Sequence, residues 1–372
     1  MAATPFIGAR GREAMAAEHI RARSGPAWWE EPAFSPDVIR ISSNENPRGP
    51  SAAAIRGIQE ALGGASRYPM APAEELRQAI AVDLGVSGEH VLLGCGSTEI
   101  LDVAVSAFTS SGKPLVTAAP TFEEAADRAT LIGSPVRAIR VDGNLRLDLA
   151  AMAAASRDAG LVFINNPNNP TGTLHPARAI EEFTRRVLRE SSTAIVLIDE
   201  AYHEYVEDPA YASAIPLALE NPRVIVSRTF SKVHGLAGLR VGYAIGAPAT
   251  LAAMGKYRLD LAVNVLGAAA ARAALAAARE NVPVERKLNH EAREFTRSWF
   301  ERAGYKVAQS EANFLMADIR RDTADFQRAC REHDVQVGRP FPPLGTHARV
   351  SIGTMDEMRA AAEVFARVLR RA

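Results

Sequence analysis

From about residue 50 to residue 265 the chain alternates short apolar runs with longer stretches rich in alanine and charged residues. The runs are Val91-Leu-Leu, Pro114-Leu-Val-Thr, Pro135-Val-Arg-Ala-Ile, Leu161-Val-Phe-Ile, Ala194-Ile-Val-Leu-Ile, Val224-Ile-Val and Val241-Gly-Tyr-Ala-Ile. Continuous apolar runs of this length suit strands covered on both faces. The stretches between them suit helices. The alternation predicts an α/β fold: a large domain with a mostly parallel seven-stranded sheet between helices.

The whole chain divides into three parts. Residues 1–45 read as an N-terminal arm that packs on the small domain or on a partner subunit. Residues 46–265 form the large domain. Residues 266–372 open with one or two alanine-rich helices over about 266–303 and then read as a smaller α+β domain. Asn313-Phe-Leu-Met-Ala-Asp and Ala348-Arg-Val-Ser-Ile-Gly are its expected strands. A length of 372 residues fits this division into domains.

Composition excludes several classes. Lysine and arginine total 43, as do aspartate and glutamate, so the chain lacks the basic footprint of a nucleic-acid binder. No apolar run approaches the length needed to cross a bilayer, so no membrane partner is expected. The two cysteines, Cys95 and Cys330, have no metal-ligand spacing and suggest neither a disulfide framework nor a metal site. Residues 1–24 lack the apolar core of a secretory signal, which points to the cytoplasm. The alternative to that favoured reading is export, with Met1-Ala-Ala-Thr-Pro following a removed leader.

Ligands of open α/β sheets bind at the carboxyl ends of the strands, and five such ends carry candidate chemistry. Gly94–Glu99 places Ser97 and Thr98 at the start of a helical run, where N–H groups and hydroxyls attract an anion. The plainer reading makes one of them an N-cap. Phe122, in Ala119-Pro-Thr-Phe-Glu123, has a face for a flat heterocycle, although phenylalanine usually serves a core. Asn169, in Asn165-Asn-Pro-Asn-Asn-Pro-Thr-Gly172, can donate to a phenolic or carbonyl oxygen from a rigid turn. Asp199, in Asp199-Glu-Ala-Tyr202, ends an apolar strand, where a carboxylate needs a positive partner such as a protonated pyridine nitrogen. The plainer alternative is a solvated acidic loop, with Glu200 and Glu204 nearby.

The fifth end is Ser227–Arg240. It combines Thr229, Ser231 and Lys232 with a glycine-rich turn and Arg240. The amine of Lys232 can form a Schiff base with an aldehyde cofactor. The hydroxyls and the Arg240 fork can hold a phosphate beside it. In the small domain, the guanidinium of Arg349 can grip a carboxylate with two parallel hydrogen bonds.

From about Ile41 to its C-terminus the chain resembles the fold-type I pyridoxal-phosphate enzymes of the class I/II aminotransferase family, and within it the histidinol-phosphate aminotransferase branch. The resemblance is carried by Ser43-Asn-Glu-Asn-Pro47, Arg67-Tyr-Pro69, Gly94–Glu99, Asn168–Gly172, Asp199-Glu-Ala-Tyr202, Ser227–Gly242 and Arg349–Thr354. It implies an aspartate-aminotransferase-like fold and pyridoxal 5'-phosphate as cofactor. By that resemblance Lys232 would hold the cofactor covalently and Asp199 would pair with its ring nitrogen. Asn169 and Tyr202 would bond its phenolic oxygen, and Phe122 would stack on its ring. Ser97, Thr98, Thr229, Ser231 and Arg240 would bind its phosphate. Tyr68 would reach the phosphate of a neighbouring subunit, making the protein a homodimer with shared sites. Arg349 would bind a substrate carboxylate or other anionic group, and Asn44, on a strand, would line the substrate site. The partners so implied are an amino acid or amino phosphate and a 2-oxo acid, exchanged by a ping-pong route.

The chain departs from the family pattern where relatives commonly carry tyrosine in place of Phe122. It departs again at Leu261-Ala-Val-Asn-Val265 and at Val337–Pro343, where Arg339 would supply a second anion contact shifted by one residue. Trp28, Trp29 and the Arg339–Pro343 loop are where substrate selection is expected. Two other readings stay open on the residues alone: decarboxylation of a phosphorylated amino acid, and a non-enzymatic cofactor-sensing domain. The neutral charge and the short stretch before Ile41 disfavour the second of these.

Overall fold

The computed structural model describes residues 37–370. The expectations for the arm before residue 37, including Trp28 and Trp29, fall outside the described residues. The strands in chain order are β1 (Ile39–Ile41), β2 (Val91–Cys95), β3 (Leu115–Ala119), β4 (Val136–Arg140), β5 (Leu161–Asn165), β6 (Ile195–Asp199), β7 (Val224–Thr229), β8 (Val241–Gly246), β9 (Lys306–Val307), β10 (Phe314–Asp318), β11 (Val335–Val337) and β12 (His347–Ser351). Each of the seven apolar runs became a strand of one sheet, in the order β2-β8-β7-β6-β5-β3-β4. The pairs β3/β4, β3/β5, β5/β6 and β6/β7 are parallel, and β8 runs antiparallel to both β2 and β7.

Successive side chains of a strand point to opposite faces, and the cores follow that rule. Val162 and Ile164 of β5 join one apolar cluster with Val196, Ile198, Val224 and Val226. Leu161 and Phe163 join another, with Ile195, Leu197 and Ile225. Every residue of β5, β6, β7 and β8 is buried, as a sheet covered on both sides requires. The edge strand β4 instead carries Arg137 and Arg140 and stays partly open, which discourages pairing with another sheet.

The alanine-rich stretch forms two helices, Val265–Ala276 and Ala278–Arg302. A separate apolar cluster gathers Phe300, Leu315, Val335, Val350 and Phe365 with Ile41 from the other end of the chain. Ile41 arrives through β1, which pairs in parallel with β11. Antiparallel β10 and β12 bring Met316 opposite Arg349.

The acidic segment after β6 is not solvated. Glu200 is 2% exposed and pairs with Arg228 of β7 at 2.9 Å. Glu200 also accepts from the Ser213 hydroxyl at 2.8 Å and the Ala214 N–H at 2.6 Å. Removing one partner of such a pair leaves a buried, uncompensated charge. Arg228→Ala is therefore expected to cost about 3–5 kcal/mol. In a thermal scan the midpoint should drop by roughly 5–10 °C; a drop below about 2 °C would mean that Glu200 finds another partner.

Candidate active site

Sheet register builds the floor of the site. Asn165, Asp199 and Ser227 are directly paired across β5, β6 and β7, so three polar side chains line up at the strand ends. Asp199 accepts from the Ser227 hydroxyl at 2.7 Å and from the Asn165 amide at 3.0 Å. Both donors are neutral, so the buried carboxylate has hydrogen bonds but no adjoining cation. Burial, only partly opposed by the Ser227 bond, lifts its pKa to about 7, with Glu200 raising it further and Lys232 lowering it. A carboxylate in that state is completed by a cationic group placed above it. Asn165 and Ser227 were missed in the sequence, where nothing marks them as neighbours of Asp199.

Ser97 and Thr98 open the helix Gly96–Phe108 rather than capping it. Cys95 occupies the N-cap position with no side-chain cap, and the Cys95 N–H donates to Glu99 at 2.6 Å. The hydroxyls are thereby free of a capping role beside the positive end of the helix dipole. Arg240, in the left-handed conformation at φ 56°, donates to Thr98 Oγ1 at 3.4 Å. Its guanidinium lies against Gly96, where a Cβ would come within 2.4 Å of Nη2. Gly242 similarly lets the helix start approach β8, since a Cβ there would sit 2.3 Å from the Ser97 nitrogen. Thr229 and Ser231 complete the cluster, their hydroxyls 2.9 Å apart. Helix-end N–H groups, hydroxyls and a guanidinium converge here as a phosphate requires.

Lys232 extends from this turn to within 5.6 Å of the Tyr202 ring centroid. Burial lowers its pKa to about 8, assisted by Arg349 and Arg240 and opposed by Glu45 and Asp199. The Tyr202 hydroxyl accepts from Asn44 at 3.1 Å, and burial raises its pKa to about 12. Asn44 corrects one expectation: β1 ends at Ile41, and Asn44 lies beyond it at φ 55°, not on a strand. Asparagine tolerates that backbone region because its short polar side chain bonds locally. Here it bonds across the site instead, to Tyr202 and to Ser351.

Arg349 is 8% exposed and donates to Asn169 Oδ1 at 2.7 Å and to the Ser42 carbonyl at 2.6 Å. Its Nε has no hydrogen-bond partner among the described residues. No carboxylate pairs with it among the described residues, and burial lowers its pKa to about 10, with Arg339 acting in the same direction. A buried guanidinium with a vacant donor suits an incoming carboxylate. The Asn169 carbonyl is engaged by Arg349, and its amide NH2 has no partner among the described residues.

Every residue assigned in the sequence to cofactor or substrate, except Tyr68, lines one cavity of about 380 Å³. Phe122 and Arg339 belong to its wall, together with Glu123 and Phe341, which sequence reasoning did not single out. Tyr68 lies elsewhere and is 76% exposed. A larger cleft of about 640 Å³ beside Arg146, Lys306 and His347 contains none of the strand-end chemistry. Donor set, not size, distinguishes the site.

The class I and II aminotransferase family model matches residues 36–365. The chain belongs to that family. Among relatives, a class I/II aminotransferase named histidinol-phosphate aminotransferase from Moorella thermoacetica is 40% identical over 339 residues, covering 90% of this chain and 85% of its own. An aromatic amino acid aminotransferase from Thermobifida fusca is 39% identical over 322 residues, covering 86% of this chain and 87% of its own. In structure, the histidinol-phosphate aminotransferase from Sinorhizobium meliloti in complex with pyridoxal-5'-phosphate matches with a TM-score of 0.83 and 27% identity, over 99% of this chain and 96% of that one. The seven-stranded, mostly parallel sheet is that of the fold-type I aminotransferases. No helix among the described residues is long and apolar enough to cross a membrane.

Proposed function

We infer that this aminotransferase binds pyridoxal 5'-phosphate in the 380 Å³ cavity and exchanges amino groups between an amino acid and a 2-oxo acid by a ping-pong route. The observation that carries this reading is Asp199, a buried carboxylate supported only by neutral donors, facing the same cavity as Lys232. The cofactor, when bound, supplies an aldehyde for amino groups and a cationic ring that takes up electrons from the substrate α-carbon.

The chain's own residues supply the rest. Asp199 would keep the ring nitrogen protonated. The Asn169 amide and the Tyr202 hydroxyl would bond the phenolic oxygen, and Phe122 would cover a ring face. Ser97, Thr98, Thr229, Ser231 and Arg240 would hold the phosphate. Arg349 draws the substrate carboxylate into position, aided by its low solvent exposure. With the cofactor bound, Nζ of Lys232 would take the proton from the substrate α-carbon; its depressed pKa makes it a competent base near neutral pH.

The working unit is a homodimer. Tyr68, Met70, Tyr257, Leu259 and Leu261 are large apolar residues left 43–76% exposed, and Met70 and Leu261 border one cleft. Apolar surface of this kind favours cover by another subunit. On this reading Tyr68, exposed and outside the cavity of its own chain, would serve a partner's cofactor.

The relatives' names point to donors bearing a planar ring, imidazole or phenyl. Absorbance of the pyridoxal-phosphate-loaded protein tests the reading. Adding phenylalanine, tyrosine or histidinol phosphate without an acceptor should bleach the visible band, and a 2-oxo acid should restore it. A band unmoved by all three would overturn the assignment of ring-bearing donors.

A further inference from the structure

We propose that Glu123 is a specificity-determining residue, a carboxylate that competes with the substrate for Arg339 and so biases the site toward uncharged aromatic side chains. The proposal rests on the aminotransferase reading above. Lys232, Arg240, Arg339 and Arg349 are the cations that line the cavity. Lys232 is committed to chemistry, Arg240 to the phosphate cluster and Arg349 to the substrate carboxylate. Among the described residues, that leaves Arg339 for a second anionic group at the far end of a substrate.

That cation is not free. One arm of its fork donates to the Glu123 carboxylate, and the other donates to the Pro340 carbonyl at 2.9 Å. Its guanidinium lies 4.3 Å from the Phe341 ring centroid, and that of Arg349 lies 4.7 Å from the same ring. Phe341 thus lines the cavity with its ring held by both guanidiniums, beside a cation whose charge is already answered. A phenyl or similar ring placed beside Phe341 breaks no ion pair. A second carboxylate or a phosphate must first displace Glu123 and also approaches its negative charge.

Magnitude makes this pair a bias and not a lock. The side chains of Arg339 and Glu123 are 50% and 40% exposed. Pairs this open are weak, so an anionic competitor pays a penalty of only roughly two- to five-fold in affinity. The site thus accepts both classes, as a ping-pong enzyme with two different substrates requires, and Glu123 sets the ratio.

Calorimetric titration of the loaded protein with succinate and with 3-phenylpropanoate tests the proposal. Neither carries an amino group, so the readout is a dissociation constant and not turnover. Glu123→Gln should tighten succinate relative to 3-phenylpropanoate by roughly two- to five-fold. Arg339→Gln should shift the same ratio the other way by about ten-fold, through loss of a charge-assisted contact. Glu123→Asp retains the carboxylate and should lie closer to wild type than Glu123→Gln does. A ratio unmoved by Glu123→Gln, or moved toward 3-phenylpropanoate, overturns the proposal. Protein that shows these shifts yet transfers no amino group keeps the role of Glu123 and loses the assigned reaction.

Discussion

Lys232→Ala is expected to abolish measurable turnover, a loss of roughly 10⁴-fold or more, because in the proposed function one amine serves both as the cofactor anchor and as the base. The variant should still bind pyridoxal phosphate through the phosphate cluster and Asp199, and release it on dialysis more readily than wild type. Steady-state transamination within ten-fold of wild type would sink the assignment. The intact lysine has a pH signature of its own. Its pKa is lowered to about 8, so the neutral, nucleophilic fraction at any pH below that is larger than for an exposed lysine. Capture of added pyridoxal phosphate by ligand-free protein should accelerate as pH rises, then level off above about 8. A rate still climbing through pH 10 would contradict a desolvated amine. Stopped-flow absorbance follows this step directly.

Asp199→Asn is expected to lower turnover by about 10²- to 10³-fold, the scale of losing one preorganised electrostatic contact at a reacting centre. The amide is nearly the same size as the carboxylate, so the sheet should stay intact. It cannot hold a proton on a pyridine nitrogen, and its NH2 would face a donor, either Ser227 or Asn165. Far-ultraviolet circular dichroism should match wild type while the single-turnover rate of α-proton removal falls. A loss below ten-fold would mean that the ring works without its charge.

Much of this arrangement was legible in the sequence, for a physical reason. Strands covered on both faces are largely apolar, so the central ones announce themselves, and their carboxyl ends locate Asp199, Asn169 and the Ser227–Arg240 turn. The direction of β8 was not legible, because a buried strand has the same apolar pattern whichever way it runs. β1, β9 and β11 span only three, two and three residues, too short for any periodicity to appear. Asn165 and Ser227 became functional neighbours of Asp199 only once strand order and register were known. Glu123 and Arg339 are 216 residues apart, and no local pattern couples them. The placement of Asn44 on a strand failed because β1 stops three residues earlier and the chain then turns through a left-handed residue.

The row Asn165–Asp199–Ser227 is created by alignment of three strands, and Arg349 joins it from a residue 180 positions after Asn169. No fragment of the chain owns the cavity. A partly synthesised or partly collapsed molecule has the lysine and the aspartate but not their common setting. A ligand that needs all of them binds only molecules whose assembly is finished, and by mass action it draws the population toward that state. In the cell, cofactor supply would then govern how much of this protein survives as well as how fast it works.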